Sequence, residues 1–184
     1  AQVWNGAFNF LGTNDLVMGA GAVTLGATTL VTVTAGNLTV NGVIDDGLDT
    51  FNVEKNGAGT LTLAALNTYG GVIGLNEGTL VFAVDQALTS ITNALSLGGF
   101  AGSTAAFALD LSAASARFGG TMLVQTDNVT PNTITIGAGK TLQIDRSFTI
   151  GYNSAANSTT RLTVSGAGTF KVGDVGAPTN QGFL

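Results

Sequence analysis

The sequence predicts an all-β fold in which short parallel strands stack as the coils of a β-solenoid. Many short segments alternate Thr or Val with apolar residues, which is the two-residue period of a strand and not the period of a helix. The phrase Gly-Thr-Leu occurs at residues 59–61 and again at 78–80. The step from Thr60 to Thr79 is 79 − 60 = 19 residues, about the length of one coil of a parallel β-helix.

The composition supports one elongated domain over residues 1–184. Charged residues make up only 9% of the chain, against roughly 25% in ordinary globular domains, and Gly is enriched at 27 residues. The six basic residues are scattered and the net charge is −5, so the sequence offers no basic stripe for nucleic acid. Cys and His are absent, which argues against thiolate or histidine-assisted nucleophilic catalysis. The uncharged span 16–44 is interrupted by Gly and Thr, so we predict no transmembrane segment.

The chain opens with aromatic residues at even positions. Trp4, Phe8 and Phe10 alternate with small or polar residues within residues 1–15, which we interpret as an opening strand and a candidate N-terminal cap. Strands rich in Thr and Val follow, separated by Gly, Asn and Asp. The clearest predicted strands are 22–25, 30–34, 38–40, 60–63, 79–84, 133–136, 141–144, 161–164 and 169–172.

Short glycine-containing segments precede many of the predicted strands, and their spacing gives the expected number of coils. Successive phrases are separated by 23 residues from Gly36 to Gly59, by 19 from Gly59 to Gly78, and by 29 from Gly139 to Gly168. This drift suits a solenoid whose corner loops vary in length while its strands keep register. At about 20 residues a coil the chain would hold about nine coils, and the stack would be about 40–45 Å long.

One part of the chain departs from this pattern. Residues 85–120 are rich in Ala, Leu and Ser and are predicted to form irregular coils. A short helix between Ala105 and Arg117 is the alternative, because Leu109, Leu111 and the alanines after them would suit a helical turn.

Residues 53–82 form the best repeat and carry a family resemblance. Asn-Gly-Ala-Gly-Thr-Leu-Thr-Leu at 56–63, Asn-Thr-Tyr-Gly-Gly at 67–71 and Glu-Gly-Thr-Leu at 77–80 resemble the autotransporter-associated β-strand repeat of bacterial passenger domains and other large surface proteins. The likeness is partial at 160–172. It implies a right-handed, single-stranded parallel β-helix, an extracytoplasmic location and an adhesive or structural role.

The densest acidic segment, Asp45-Asp46-Gly47-Leu48-Asp49, is the candidate site for chemistry. Carboxylate oxygens around a glycine turn are ligands that Ca²⁺ accepts, so Asp45, Asp46 and Asp49 are weak calcium candidates. The segment lacks the full ligand pattern of an EF-hand loop, and a solvated turn is the simpler interpretation. A glycoside hydrolase would need two carboxylates across one cleft, roughly 5–9.5 Å apart, which neighbouring residues of one turn rarely provide.

Pairs of the form Thr-x-Thr offer a different kind of binding surface. They occur at Thr32 and Thr34, at Thr60 and Thr62, and at 133 and 135. A flat threonine ladder can order water and bind ice, but it needs the pair in nearly every coil. The irregular recurrence favours ordinary outward-facing threonines on strands.

These observations predict a non-enzymatic, exported solenoid with a structural or adhesive role at a bacterial cell surface. The expected partners are other copies of the chain or cell-surface and matrix material, and no catalytic residue or cofactor is predicted. An alternative is a self-assembling subunit of an extracellular filament or sheath, joined through coil ends or a donated strand. A lesser alternative is a polysaccharide-active β-helix enzyme that depends on Asp46.

Overall fold

The computed structural model describes residues 1–98, 105–125, 132–151 and 161–173, and these residues form an all-β solenoid. In chain order the strands are β1 (Gln2–Trp4), β2 (Phe8–Phe10), β3 (Leu16–Met18), β4 (Val23–Leu25), β5 (Thr29–Val33), β6 (Asn37–Val40), β7 (Ile44–Asp45), β8 (Val53–Asn56), β9 (Thr60–Leu63), β10 (Ile73–Leu75), β11 (Gly78–Phe82), β12 (Gln86–Leu88), β13 (Leu95–Leu97), β14 (Phe107–Leu111), β15 (Ala116–Phe118), β16 (Met122–Val124), β17 (Asn132–Ile136), β18 (Thr141–Ile144), β19 (Phe148–Ile150), β20 (Leu162–Ser165) and β21 (Thr169–Val172).

The strands pair in parallel and stack on three faces of the solenoid. Face A comprises a three-stranded sheet, β1-β4-β7, followed by a four-stranded sheet, β12-β15-β18-β21. Face B is the seven-stranded sheet β2-β5-β8-β10-β13-β16-β19. Face C is the seven-stranded sheet β3-β6-β9-β11-β14-β17-β20. Each coil visits face A, then B, then C, so the predicted parallel β-solenoid is confirmed.

Residues 67–69 join the two sheets of face A. The Asn67 side-chain oxygen accepts from the Ile44 backbone N–H at 2.9 Å, and the Asn67 amide donates to Gln86 Oε1 at 3.2 Å. Asn67 and Gln86 are both buried, at 2% and 3% exposure. Buried amides that pair with each other and with backbone groups therefore keep the stack continuous where no strand is assigned.

The stack contains fewer coils than the nine predicted. Faces B and C each have seven strands, which gives six steps from coil to coil. The prediction was wrong because it assumed about 20 residues a coil, whereas Gly78 pairs with Phe107, 29 residues on, and Asn132 with Leu162, 30 residues on. Six steps of about 4.8 Å give a stack about 30 Å long between the first and last strands of a face.

The core lies inside the coils and is built from columns of aliphatic side chains. On face C one column runs through Leu38, Leu61, Leu80, Leu109 and Ile134, which occupy equivalent positions in adjacent strands. All five are at most 1% exposed. Burying each such side chain stabilises the fold by roughly 1.5–3 kcal/mol.

The alternative prediction of a short helix between residues 105 and 117 is wrong. Strand β14 spans Phe107–Leu111, and its side chains alternate between buried and half-buried. Strand β15 follows at Ala116–Phe118 with the same alternation. Phe107, Leu109 and Leu111 lie two residues apart, which is the spacing of a strand. The segment is a strand because its neighbouring strands bury these side chains on the same face.

The threonines of face C lie beside one another only in part. Thr60 is in register with Thr79, and Thr39 with Thr62. The columns then reach Val81 and Ala108, which have no hydroxyl. An uninterrupted ladder is therefore not formed on this face within the described coils, as the irregular spacing in the sequence predicted.

Candidate functional site

The acidic segment at residues 45–49 lies at the corner between faces A and B, which we call the A–B corner. Asp45 ends strand β7, and the chain crosses the corner before β8 begins at Val53. Strand alternation separates the two neighbouring carboxylates, so that Asp45 is half-buried at the surface and Asp46 is only 4% exposed. Asp49 is exposed.

Asp45 is held in place by two donors. Its carboxylate accepts from the Gly47 N–H at 2.8 Å and from the Thr68 hydroxyl of the next coil at 2.5 Å. The Thr68 hydrogen bond, followed by the Gly47 hydrogen bond, lowers the pKa of Asp45 below its ordinary value. Both interactions favour a charged carboxylate that orders its own turn and links it to the next coil.

Asp46 closes the corner from the inside. Its Oδ2 atom accepts from the Phe51 N–H at 3.0 Å and from the Gly70 N–H of the next coil at 2.9 Å. Its carbonyl oxygen accepts from the Asp49 N–H at 3.2 Å. The carboxylate thus satisfies two backbone donors that would otherwise lie at a partly buried corner without a partner.

Two of the three candidate calcium ligands, Asp45 and Asp46, make hydrogen bonds that hold the turn. The side chains of Asp45, Asp46 and Asp49 do not point toward a common position. The described ranges contain no group of three or more acidic side chains arranged to hold a metal ion. Calcium binding by these residues stays a prediction. The same contacts make Asp46 a support for backbone amides, which is a role that the sequence did not reveal.

A second turn at the A–B corner lies two coils further along the stack. The Asn93 side chain donates to the carbonyl oxygens of Tyr69 and Gly71, at 2.9 and 3.0 Å. The Thr92 hydroxyl donates to the Gly70 carbonyl oxygen at 2.6 Å. Residues 69–71 are therefore held from both sides, with an N–H bonded to Asp46 and carbonyl oxygens bonded to the turn at 89–94.

These two turns each display an aliphatic side chain to solvent. Leu48 is fully exposed, with a relative accessibility of 104%, and Ile91 is 68% exposed. The turns that carry them are fixed by the side chains of Asp46 and Asn93. Apolar side chains on turns whose backbone is held by hydrogen bonds can be buried by a partner with little loss of backbone conformational entropy.

A buried lysine is the feature that sequence reasoning missed. Lys55 is 1% exposed, and on face B it is in register with Val31 in one neighbouring coil and Leu75 in the other. Its ammonium donates to the carbonyl oxygens of Asn56, Gly57 and Glu77, at 3.0, 2.5 and 3.0 Å. The signal was available, because Lys55 occupies the inward position two residues after the buried Val53.

The environment of Lys55 changes its protonation. Burial lowers its pKa from the ordinary 10.5 to about 8, and the negative charge of Glu77 acts in the opposite direction. Because the ammonium group donates its hydrogen bonds to backbone carbonyl oxygens, it links one coil to the next at the corner between faces B and C. We assign Lys55 a structural role, since its donors are directed at the chain itself.

Comparison with known proteins identifies one relative. The chain is 32% identical over 121 residues to a protein described as Adhesin BmaC autotransporter, from Brucella suis biovar 1 (strain 1330). The match covers 60% of this chain and 4% of that protein, so the chain spans only a small fraction of the relative's length. This weak homology and the parallel solenoid are consistent with a passenger-type β-helix, which confirms the resemblance inferred from residues 53–82.

Two further comparisons gave no match. No family model matches the chain. No solved structure matches it. Among the described residues there is also no helix long and apolar enough to cross a membrane.

Proposed function

We propose that this chain is an exported, non-enzymatic β-solenoid that contributes to adhesion at a bacterial cell surface. The observation that carries the proposal is the similarity to an autotransporter adhesin over 60% of the chain, on a fold of stacked parallel coils. The surface adds support, because it is poor in charge and displays Leu48 and Ile91 on rigid turns. A fold alone does not fix a function, so the test must be made on adhesion itself.

An adhesion assay with the purified chain tests this proposal. Beads coated with the chain are expected to be retained on cultured epithelial cells or immobilised matrix protein more strongly than beads coated with an unrelated solenoid of equal density. A double variant, Leu48→Ser with Ile91→Ser, is expected to reduce retention, while Leu66→Ser serves as a matched control at another corner, where Leu66 is 53% exposed. Retention equal to that of the unrelated solenoid on every surface would contradict the proposal.

A second candidate function is that of a filament subunit joined through its coil ends. In the first described coil, Phe8 and Phe10 face the core but are only half-buried, and a depression of about 500 Å³ opens beside Trp4 and Met18. In the last described coils Ile150 is 48% and Val164 is 43% exposed. Apolar groups and strand edges at both ends of the described stack would be covered by another coil placed on them.

Electron microscopy distinguishes the two candidates. Negatively stained protein at micromolar concentration is expected to show linear rods much longer than about 30 Å if the ends join. Isolated short rods at that concentration would contradict the filament and leave the adhesive proposal standing.

A further inference from the structure

The charges of this chain are distributed unevenly along the solenoid axis. Residues 1–98 contain seven acidic side chains and one basic side chain, and that basic side chain is the buried Lys55. Residues 99–184 contain four acidic and five basic side chains. The early coils are therefore negative at their surface, and the later coils carry the cations.

Face A shows this segregation most directly. Its outward positions form one column from coil to coil, in which Asp45 lies early and Arg117 and Lys171 lie late. Short side chains fill the middle of the column, so a partner's backbone can come close there. In stack order the column is Val3, Thr24, Asp45, Thr68, Ala87, Arg117, Gln143 and Lys171, with Thr68 placed by its hydrogen bond to Asp45.

The A–B corner repeats the same order of charges. Asp49 lies at the corner after β7, Ile91 at the corner after β12, and Arg146 at the corner after β18. All three are exposed. The corner therefore presents an acidic group, an aliphatic group and a basic group in sequence along the axis.

The two late cations of this surface are available for a partner. Arg117 is already paired with Asp145 at 2.8 Å, and Lys140 lies 3.9 Å from Asp85. Arg146 and Lys171 form no ion pair with any residue in the described part of the chain. Asp49 likewise has no ion pair there.

The arrangement is complementary to itself when one copy is turned end over end. Asp45 and Lys171 are five coils apart, about 24 Å at the usual strand spacing, and Ala87 and Ile91 lie near the middle of that interval. A two-fold axis through the middle would place the acidic end of each copy against the basic end of the other. Such an isologous contact makes each charge interaction twice and buries the apolar centre of both copies.

We propose that a second copy of this chain packs antiparallel on face A and the A–B corner. Asp45 and Asp49 of one copy then lie opposite Lys171 and Arg146 of the other, and Ile91 of both copies lies at the centre. Opposite charges at the ends and an apolar anchor in the middle are the usual layout of a specific interface. The proposal concerns pairing between copies. Ile91 belongs both to this interface and to the surface proposed for adhesion, so the charge variants, which leave Ile91 unchanged, separate the two.

Sedimentation velocity tests the pairing. The 18.4 kDa chain is expected to sediment as a dimer at micromolar concentration in about 50 mM salt and to dissociate in about 500 mM salt, because exposed charge pairs are screened. Asp49→Lys is expected to raise the dissociation constant about tenfold, as is Arg146→Glu. Ile91→Glu is also expected to weaken the dimer, because Ile91 lies at the centre of the proposed interface.

Mixing the two charge variants provides the decisive measurement. Neither variant pairs well with itself, but one heterodimer restores opposite charges at both ends, so the mixture is expected to recover the dimer. This recovery also shows that both variants are folded. Arg161→Glu is the matched control, because Arg161 precedes strand β20 at another corner and its reversal is expected to leave the dimer unchanged.

Three results would overturn the proposal. They are a native chain that is monomeric at low salt, a mixture of the two charge variants that stays monomeric, and a dimer that Arg161→Glu weakens as much as the charge variants do. A species that grows beyond the dimer would indicate end-to-end joining instead. Loss of dimerisation with adhesion retained would separate this inference from the adhesive function.

Discussion

The Lys55 ammonium donates a hydrogen bond to the carbonyl oxygen of Glu77, one coil further on, at 3.0 Å. This bond joins strand β8 to the turn before β11, between the same two coils that Asp45 and Asp46 link at the A–B corner. A buried cation without a carboxylate in hydrogen-bonding contact is uncommon. It gives the stability of this solenoid a specific dependence on pH.

We expect the free energy of unfolding to rise as the pH increases from about 8 to 10. The pKa of Lys55 is about 8 in the folded chain and near 10.5 when unfolded. Between these values the unfolded chain binds more protons, so raising the pH favours the folded state, by at most about 2–3 kcal/mol. Urea unfolding followed by circular dichroism at several pH values measures this change.

The control for this pH dependence is Lys55→Met. The variant retains the length and apolar stem of the side chain, and its stability is expected to lack the rise between pH 8 and 10. An equal rise in both proteins would assign the effect to other groups. Above pH 10 both proteins are expected to lose stability, because burial raises the pKa of Tyr69 well above its ordinary value and only the unfolded chain then releases that proton.

Replacing Tyr69 with Phe is expected to stabilise the fold. Tyr69 is fully buried, and its hydroxyl has no hydrogen-bond partner among the described residues. Removing a buried hydroxyl without a partner is expected to raise the free energy of unfolding by about 1 kcal/mol, since the ring and its packing remain. A decrease in the urea midpoint of Tyr69→Phe would show that the hydroxyl does have a partner in solution.

Replacing Asp46 with Ala is expected to destabilise the fold by about 2–4 kcal/mol. The change leaves the Phe51 and Gly70 amides without their acceptor, at 3.0 and 2.9 Å from Asp46 Oδ2. Asp46→Asn keeps one acceptor oxygen and is expected to lose less. Asp49→Ala is the control, because the Asp49 side chain is exposed, and it is expected to change stability little.

The same three variants also test the calcium prediction. If the turn is held only by protein contacts, adding calcium chloride shifts none of their thermal midpoints. A calcium-dependent rise in the native chain that is absent from Asp46→Ala and Asp49→Ala would show that the acidic turn binds the ion.

Strand positions and inward columns could be predicted because they depend on local alternation. Each of the nine clearest predicted strands overlaps an observed one, and those at 60–63, 141–144 and 169–172 have the same bounds. The number of coils could not be predicted, since the number of residues from one coil to the next is not fixed: Thr60 pairs with Thr79, 19 residues on, and Asn132 with Leu162, 30 residues on. The role of Asp46 depends on Gly70, which lies 24 residues away, and only the stacking of coils brings the two together.

A pair of glycines separates backbone strain from steric contact in this fold. Gly78 and Gly139 have the same φ, +71°, in the left-handed region that disfavours other residues. A Cβ on Gly78 would collide with the carbonyl oxygens of Gly57 and Gly59 in the preceding coil, whereas a Cβ on Gly139 meets nothing within 4 Å. The two positions therefore share a backbone angle and differ in the closeness of the stacked turn.

Gly139→Ala is accordingly expected to destabilise the fold by about 1–2 kcal/mol, which is the cost of a left-handed alanine. Gly78→Ala is expected to destabilise it by more than about 3 kcal/mol, because the backbone of the preceding turn must move as well. Urea midpoints of the two variants measured side by side give the difference. Equal losses would mean that the stacked turns at Gly57 and Gly78 are not packed against each other in solution.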